Sequence, residues 1–103
     1  MIKVKVSVKD DEYSIEAEGH ALFNPGNDIV CSAVSSLFYA FAGFLHNNSV
    51  VRRTDIHLNS GDAKIKASGD IKQAFDVFMI GILQIEKAYP SNLLIIECEE
   101  NPQ

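Results

Sequence analysis

The chain has 103 residues, a formal net charge of −5, two cysteines and no tryptophan. A length of this order fits a single domain, residues 1–103, which buries only about two-thirds of its unfolded surface. The acidic balance, with Arg52-Arg53 as the one adjacent basic pair, excludes a phosphate-tracking surface for direct nucleic-acid binding, and two cysteines are too few for a disulfide framework.

Residues 2–8 alternate, with Ile2, Val4, Val6 and Val8 on one face and Lys3, Lys5 and Ser7 on the other. This is the period-2 signal of a half-buried strand, and it excludes the unbroken apolar stretch of a secretory signal. Lys9-Asp10-Asp11-Glu12 supplies a turn, and residues 13–18 return as a second strand with Tyr13, Ile15 and Ala17 inward. Gly19-His20-Ala21-Leu22-Phe23-Asn24-Pro25-Gly26-Asn27 then breaks every period and reads as a loop. Asn27 or Asp28 is placed to cap the helix that follows, which runs to about His46.

That helix is apolar nearly all round, so burial on more than one side is expected. Its uncharged run, Ile29 to Leu45, approaches the length of a membrane span. It contains Ser32, Ser35 and Ser36 and lacks a flanking basic cluster, so a buried core helix is the better reading and no membrane partner is expected. Residues 54–58 and 63–67 form a second hairpin around Asn59-Ser60-Gly61-Asp62. Apolar residues at helical spacing from Ala74 to Ile85 predict a second helix over about 71–89, with Gly81 permitting close packing on the first. Pro90 ends it, and residues 92–97 read as a last, buried strand. The order β-β-α-β-β-α-β predicts an α+β fold, a five-stranded, largely antiparallel sheet covered by two apolar helices.

Cys31 falls in the first turn of the opening helix, where unpaired N–H groups and the helix dipole favour a thiolate and can hold an oxyanion. The competing reading is a small packing residue in an apolar helix. His20, at the end of the second strand, reaches Cys31 as a base if the loop folds back; otherwise it is an exposed loop histidine. His46 and His57 lie beyond the helix C-terminus and inside a strand. Asp28 orients an imidazole or simply caps the helix. His20, Asp28 and Cys31 lack the spacing of a zinc site, so no metal and no cofactor are expected. Cys98, before Glu99-Glu100, reads as a structural thiol.

Gly19-His20-Ala21, followed by Gly26-Asn27-Asp28-Ile29-Val30-Cys31-Ser32-Ala33-Val34-Ser35, resembles the ribosomal-processing cysteine protease family Prp over essentially the whole chain. The resemblance implies a cysteine endopeptidase of the cytoplasm that removes the N-terminal extension of a large-subunit ribosomal protein precursor (bL27) in ribosome biogenesis. It implies Cys31 as nucleophile, His20 as catalytic histidine and Asp28 in support. It further implies a homodimer and a substrate-shaping loop containing Gly19, Ala21, Phe23 and Gly26. Leu22-Phe23-Asn24-Pro25 departs from the small or tyrosine-containing loop of the family, and Ser32 stands where alanine is usual. A non-catalytic module that binds a ribosomal protein, and a redox sensor built on Cys31, are the rival readings.

Overall fold

The computed structural model describes residues 1–19 and 29–99. In chain order they form β1 (Ile2–Lys9), β2 (Glu12–Glu18), α1 (Ile29–His46), β3 (Val51–Asn59), β4 (Asp62–Gly69), α2 (Lys72–Ala88) and β5 (Leu93–Glu99). The strands make one five-stranded sheet in the order β3-β4-β2-β1-β5. Three of the pairings are antiparallel, and β5 lies parallel to β1. The expectation of an α+β fold with a five-stranded, largely antiparallel sheet therefore holds, the one parallel pairing being that of β5. A parallel partner needs a long crossover, and α2 supplies it between β4 and β5.

The alternation read in the sequence becomes rows running across the sheet. Ile56, Ile65, Ile15 and Val6 lie opposite one another on four adjacent strands, and Leu58, Ala63, Ala17, Val4 and Ile95 form the next row. Both helices cover this apolar face. Val34 and Phe38 of α1 and Phe78 and Ile82 of α2 are buried in the same cluster as the inward strand residues. Phe38, wholly buried, meets Phe78 edge to face with ring centroids 5.2 Å apart. That geometry adds about 0.5–1.5 kcal/mol to simple burial. At Gly81 an added Cβ would stand 2.9 Å from both methyl groups of Leu37, so the glycine lets α2 approach α1 as the sequence suggested.

Two expectations are corrected. α1, long and apolar enough to cross a membrane, packs in the core as expected, but through one stripe, Val30, Cys31, Val34, Phe38, Phe41, Ala42 and Leu45, rather than on more than one side. Its other side is open, with Ile29, Ser32, Ser36, Tyr39 and Ala40 exposed. The last strand is only partly buried: Leu93 is enclosed, whereas Leu94 is 41% exposed. β5 is an edge strand with one face on the helices and one open, so successive side chains take opposite environments. Its outer edge is partly closed by Glu86 of α2, whose Oε2 accepts a hydrogen bond from the Ile95 amide at 2.8 Å. Such a cap protects an edge strand from pairing with another chain.

Candidate active site

The chemistry predicted from sequence is divided between the end of β2 and the start of α1. Gly19 closes β2, and its amide donates to the Gly61 carbonyl at 3.1 Å, tying the strand's exit to the β3–β4 turn. The start of β1 crowds it from the other side. A Cβ at position 19 would lie 2.8 Å from the Met1 carbonyl oxygen and 2.9 Å from Ile2 Cα, and the backbone there has φ +156°. No side chain fits, so Gly19 fixes the point from which residue 20 departs.

Cys31 is the third residue of α1 and belongs to the core cluster, with only 3% of its surface exposed. Ile29, two residues earlier, is 63% exposed. The chain therefore turns inward over the first turn of α1 and sets the thiol in the end of the core. The first four N–H groups of a helix have no partner within it, so a sulfur here lies among donors suited to a developing oxyanion. The position thus combines packing with the electrostatic requirement of a nucleophile. Ser32 is exposed on the solvent side of α1, and its carbonyl accepts from the Ser36 hydroxyl at 2.9 Å.

His20, Ala21, Phe23, Gly26 and Asp28 lie outside the described residues. The other two histidines are placed, and neither approaches the start of α1. His46 ends α1, fifteen residues beyond Cys31, which at 1.5 Å per residue is about 22 Å along the axis. His57 stands on β3 on the uncovered face, where its Nε2 lies 2.9 Å from the Asp55 carboxylate. Cys98, read from sequence as a structural thiol, is exposed on that same uncovered face, opposite Ser7 of β1. The sheet separates it from Cys31, which leaves a sensor on Cys31 without Cys98 as a resolving thiol. Among the described residues, no three His, Cys, Asp or Glu side chains converge as a metal site.

Sequence reasoning did not foresee the crowding at Gly19, because it depends on the approach of Met1 and Ile2, nearly the full length of a hairpin away. It also missed Ser68, enclosed at 6% exposure beneath the uncovered face. An isolated serine carries no local signal of such a position.

A family model described as cysteine protease Prp matches residues 1–94. The ribosomal processing cysteine protease Prp of Mycoplasma pneumoniae is 28% identical over 92 residues, covering 87% of this chain and 88% of that protein. The fold is similar to that of the essential ribosomal processing protease Prp from S. aureus with a covalently linked product peptide. That match has a TM-score of 0.80 and 21% identity over 95% of this chain and all of the other. The S. aureus protein with a substrate peptide gives a TM-score of 0.77 at 22% identity, again over 95% of this chain and 100% of the other.

Proposed function

This chain belongs to the cysteine protease Prp family, and we propose that it removes the N-terminal extension of a large-subunit ribosomal protein precursor, bL27, in the cytoplasm. Membership makes it a cysteine protease, and the chain has two cysteines from which the nucleophile must come. The observation that carries the assignment is the placement of those two. Cys98 is on an open strand face with Ser7 opposite, whereas Cys31 occupies the first turn of a helix. Only the second sets the sulfur beside the first-turn backbone N–H groups of a helix, whose positive dipole end favours a thiolate and an oxyanion.

In this reading Cys31 Sγ attacks the scissile carbonyl and the first-turn N–H groups hold the oxyanion. His20 donates a proton to the departing amine, then takes one from the water that releases the acyl group. Asp28 supports the pair, and Gly19, Ala21, Phe23 and Gly26 shape the substrate path. The placement of His46 and His57 supports His20 as the base, since neither alternative reaches α1's first turn. A homodimer is part of the proposal. Val77, Ile80 and Leu83, exposed at 68%, 55% and 44% along one side of α2, give it an apolar surface to bury.

Incubation with the purified ribosomal protein precursor, read by mass spectrometry, tests the assignment. Wild type makes one N-terminal cut, and Cys31→Ala and His20→Ala make none. Cleavage by Cys31→Ala overturns the mechanism, and binding without cleavage by wild type overturns processing of this precursor in favour of a module that only binds it.

A further inference from the structure

Two strands bound the sheet, and they are finished differently. The Ile95 amide of β5 is taken by Glu86, whereas β3, at the other edge, carries no such cap over residues 52–59. Among the described residues nothing outside β4 bonds to the backbone of that stretch. Only the Val51 amide, at its start, is closed, by the Asn48 carbonyl at 3.3 Å. The devices that ordinarily guard an edge also stop early. The irregular register lies between Val51 and Arg53, and the charges are those of Arg52, Arg53 and Asp55. Ile56-His57-Leu58 has no bulge, lysine or proline.

The register says which groups face outward. Asn59 and Asp62 pair across the two-residue turn Ser60-Gly61, the hydrogen-bonded position that closes a hairpin. Alternation then turns the N–H and C=O of Asn59, His57 and Asp55 toward β4, and those of Leu58, Ile56 and Thr54 outward. The side chains of these same three residues lie on the helix-covered face, opposite Ala63, Ile65 and Ala67. Ile56 and Leu58 are nonetheless only partly buried. α1 packs beside β3 and α2 beside β5. With Leu37 turned to Gly81 of α2, helical spacing puts Ser32 and Tyr39 on the opposite flank of α1, on the β3 side. Tyr39 is 56% exposed there.

This shelf leads to the catalytic end. β2 and β3 are each antiparallel to β4, so both finish at the same end of the sheet. The Gly19 amide bonds to Gly61, in the turn that β3 enters. α1 crosses from the end of β2 to the start of β3, which sets its first turn, with Cys31, at the end where β3 finishes.

We infer that the substrate chain docks on the β3 edge. An extended segment of the precursor pairs with β3 as an added strand, through Thr54, Ile56 and Leu58, and delivers its scissile bond to the first turn of α1. The inference rests on the peptidase reading above. An extended peptide is the occupant that a peptidase must hold, and one added here runs continuously into the candidate site. Main-chain bonds to an open edge supply affinity, and alternate side chains supply specificity. Every second residue of the segment falls on the side of Ile56, Leu58 and Tyr39, so alternate apolar residues suit it.

The test uses full-length Cys31→Ala protein, to prevent turnover, and a synthetic peptide spanning the precursor's cleavage site. Amide hydrogen exchange is read with and without the peptide. Strand addition predicts exchange slowed by about tenfold at Thr54, Ile56 and Leu58, with Asp55 and His57 unchanged because β4 already holds them. Two peptides N-methylated at alternate amides, offset by one residue, should separate. The one whose methyl groups point at β3 should bind about tenfold more weakly than the other. In otherwise wild-type protein, Thr54→Pro removes one outward donor and should raise KM about fivefold, with a smaller change in kcat. The peptide comparison decides the matter if that variant misfolds. Equal affinity of the two methylated peptides, or protection without alternation, overturns docking on β3; cutting of the peptide by wild type then leaves the peptidase reading standing. If wild type neither binds nor cuts the peptide, both fall. Alternating protection that appears without peptide and grows with protein concentration overturns the inference in favour of a second copy on the edge.

Discussion

Replacing Gly19 with alanine isolates the contact that sets the geometry at the end of β2. The new Cβ would meet the Met1 carbonyl oxygen at 2.8 Å and Ile2 Cα at 2.9 Å, against an ordinary separation of about 3.5–4.0 Å. Both are backbone atoms, so no rotamer change relieves the clash. β1 cannot simply withdraw, because the Ile2 amide donates to the Asn92 carbonyl at 2.8 Å and Ile2 pairs with Leu93. Forced displacement in a packed region costs about 1–3 kcal/mol, and a positive φ adds about 1–2 kcal/mol for a residue with a Cβ. The reduced entropy of the unfolded alanine chain returns roughly 0.4–1 kcal/mol, leaving a net loss of about 2–4 kcal/mol. Gly61→Ala is the internal comparison. It too has a positive φ, +79°, but its Cβ would meet only the Gly19 carbonyl oxygen at an ordinary 3.6 Å, so after the same entropy return it should lose about 1 kcal/mol. Urea unfolding followed by far-ultraviolet circular dichroism measures both, with the slope unchanged in each variant. Because residue 20 departs from this point, peptidase activity of folded Gly19→Ala should also fall by at least tenfold. A Gly19→Ala protein no less stable than Gly61→Ala would refute the reasoning.

Loss of the Glu86 cap gives a local effect: Glu86→Ala should cost roughly 1–2 kcal/mol and accelerate hydrogen exchange at the Ile95 amide, while Glu86→Gln retains an acceptor and most of the protection. Unchanged Ile95 exchange in Glu86→Ala would show that the edge is held by other means. Arg52 beside Asp11 holds the Asp11 carboxyl below the usual carboxylate range, so its contribution to stability is present above about pH 3.9 and fades as pH falls through the lowered folded value. Asp11→Asn should therefore lower the urea midpoint at pH 7 but not at pH 2, and added salt should shrink the difference because both partners are exposed; an equal loss at both pH values would contradict the pairing.

The alternating strands were readable because one face is apolar and the other charged, and a one-residue slip would exchange the two. Where that contrast fails, the reading shortens or goes wrong. β3 begins at Val51 rather than Thr54, since Val51-Arg52-Arg53 has no alternation and joins β4 through an irregular register. Leu93-Leu94-Ile95-Ile96 resembles a strand buried on both faces, yet it occupies the edge beside β1 with Leu94 outward. Strand order is a property of the crossovers, and no residue in β5 announces a parallel neighbour. Ser7, Ser14 and Cys98 are far apart in the chain, and only the register sets them in a row.

Cys31 shows why the packing and catalytic readings of one residue need not compete. At 3% exposure it completes the core as any small apolar side chain would, and as the third residue of α1 it lies at the positive end of the helix dipole. Burial alone therefore does not count against a nucleophile at this place. What narrows the chemistry is the distribution of bases around it. The length of α1 carries His46 about 22 Å away, and the sheet puts His57 on its far face, held by Asp55. The remaining histidine follows a glycine whose two sides are both occupied, by Gly61 through a hydrogen bond and by the start of β1 through contact. The histidine proposed as base is thus tethered to the most sterically constrained end of β2, so changes to its scaffold should affect catalysis through position before they affect it through charge.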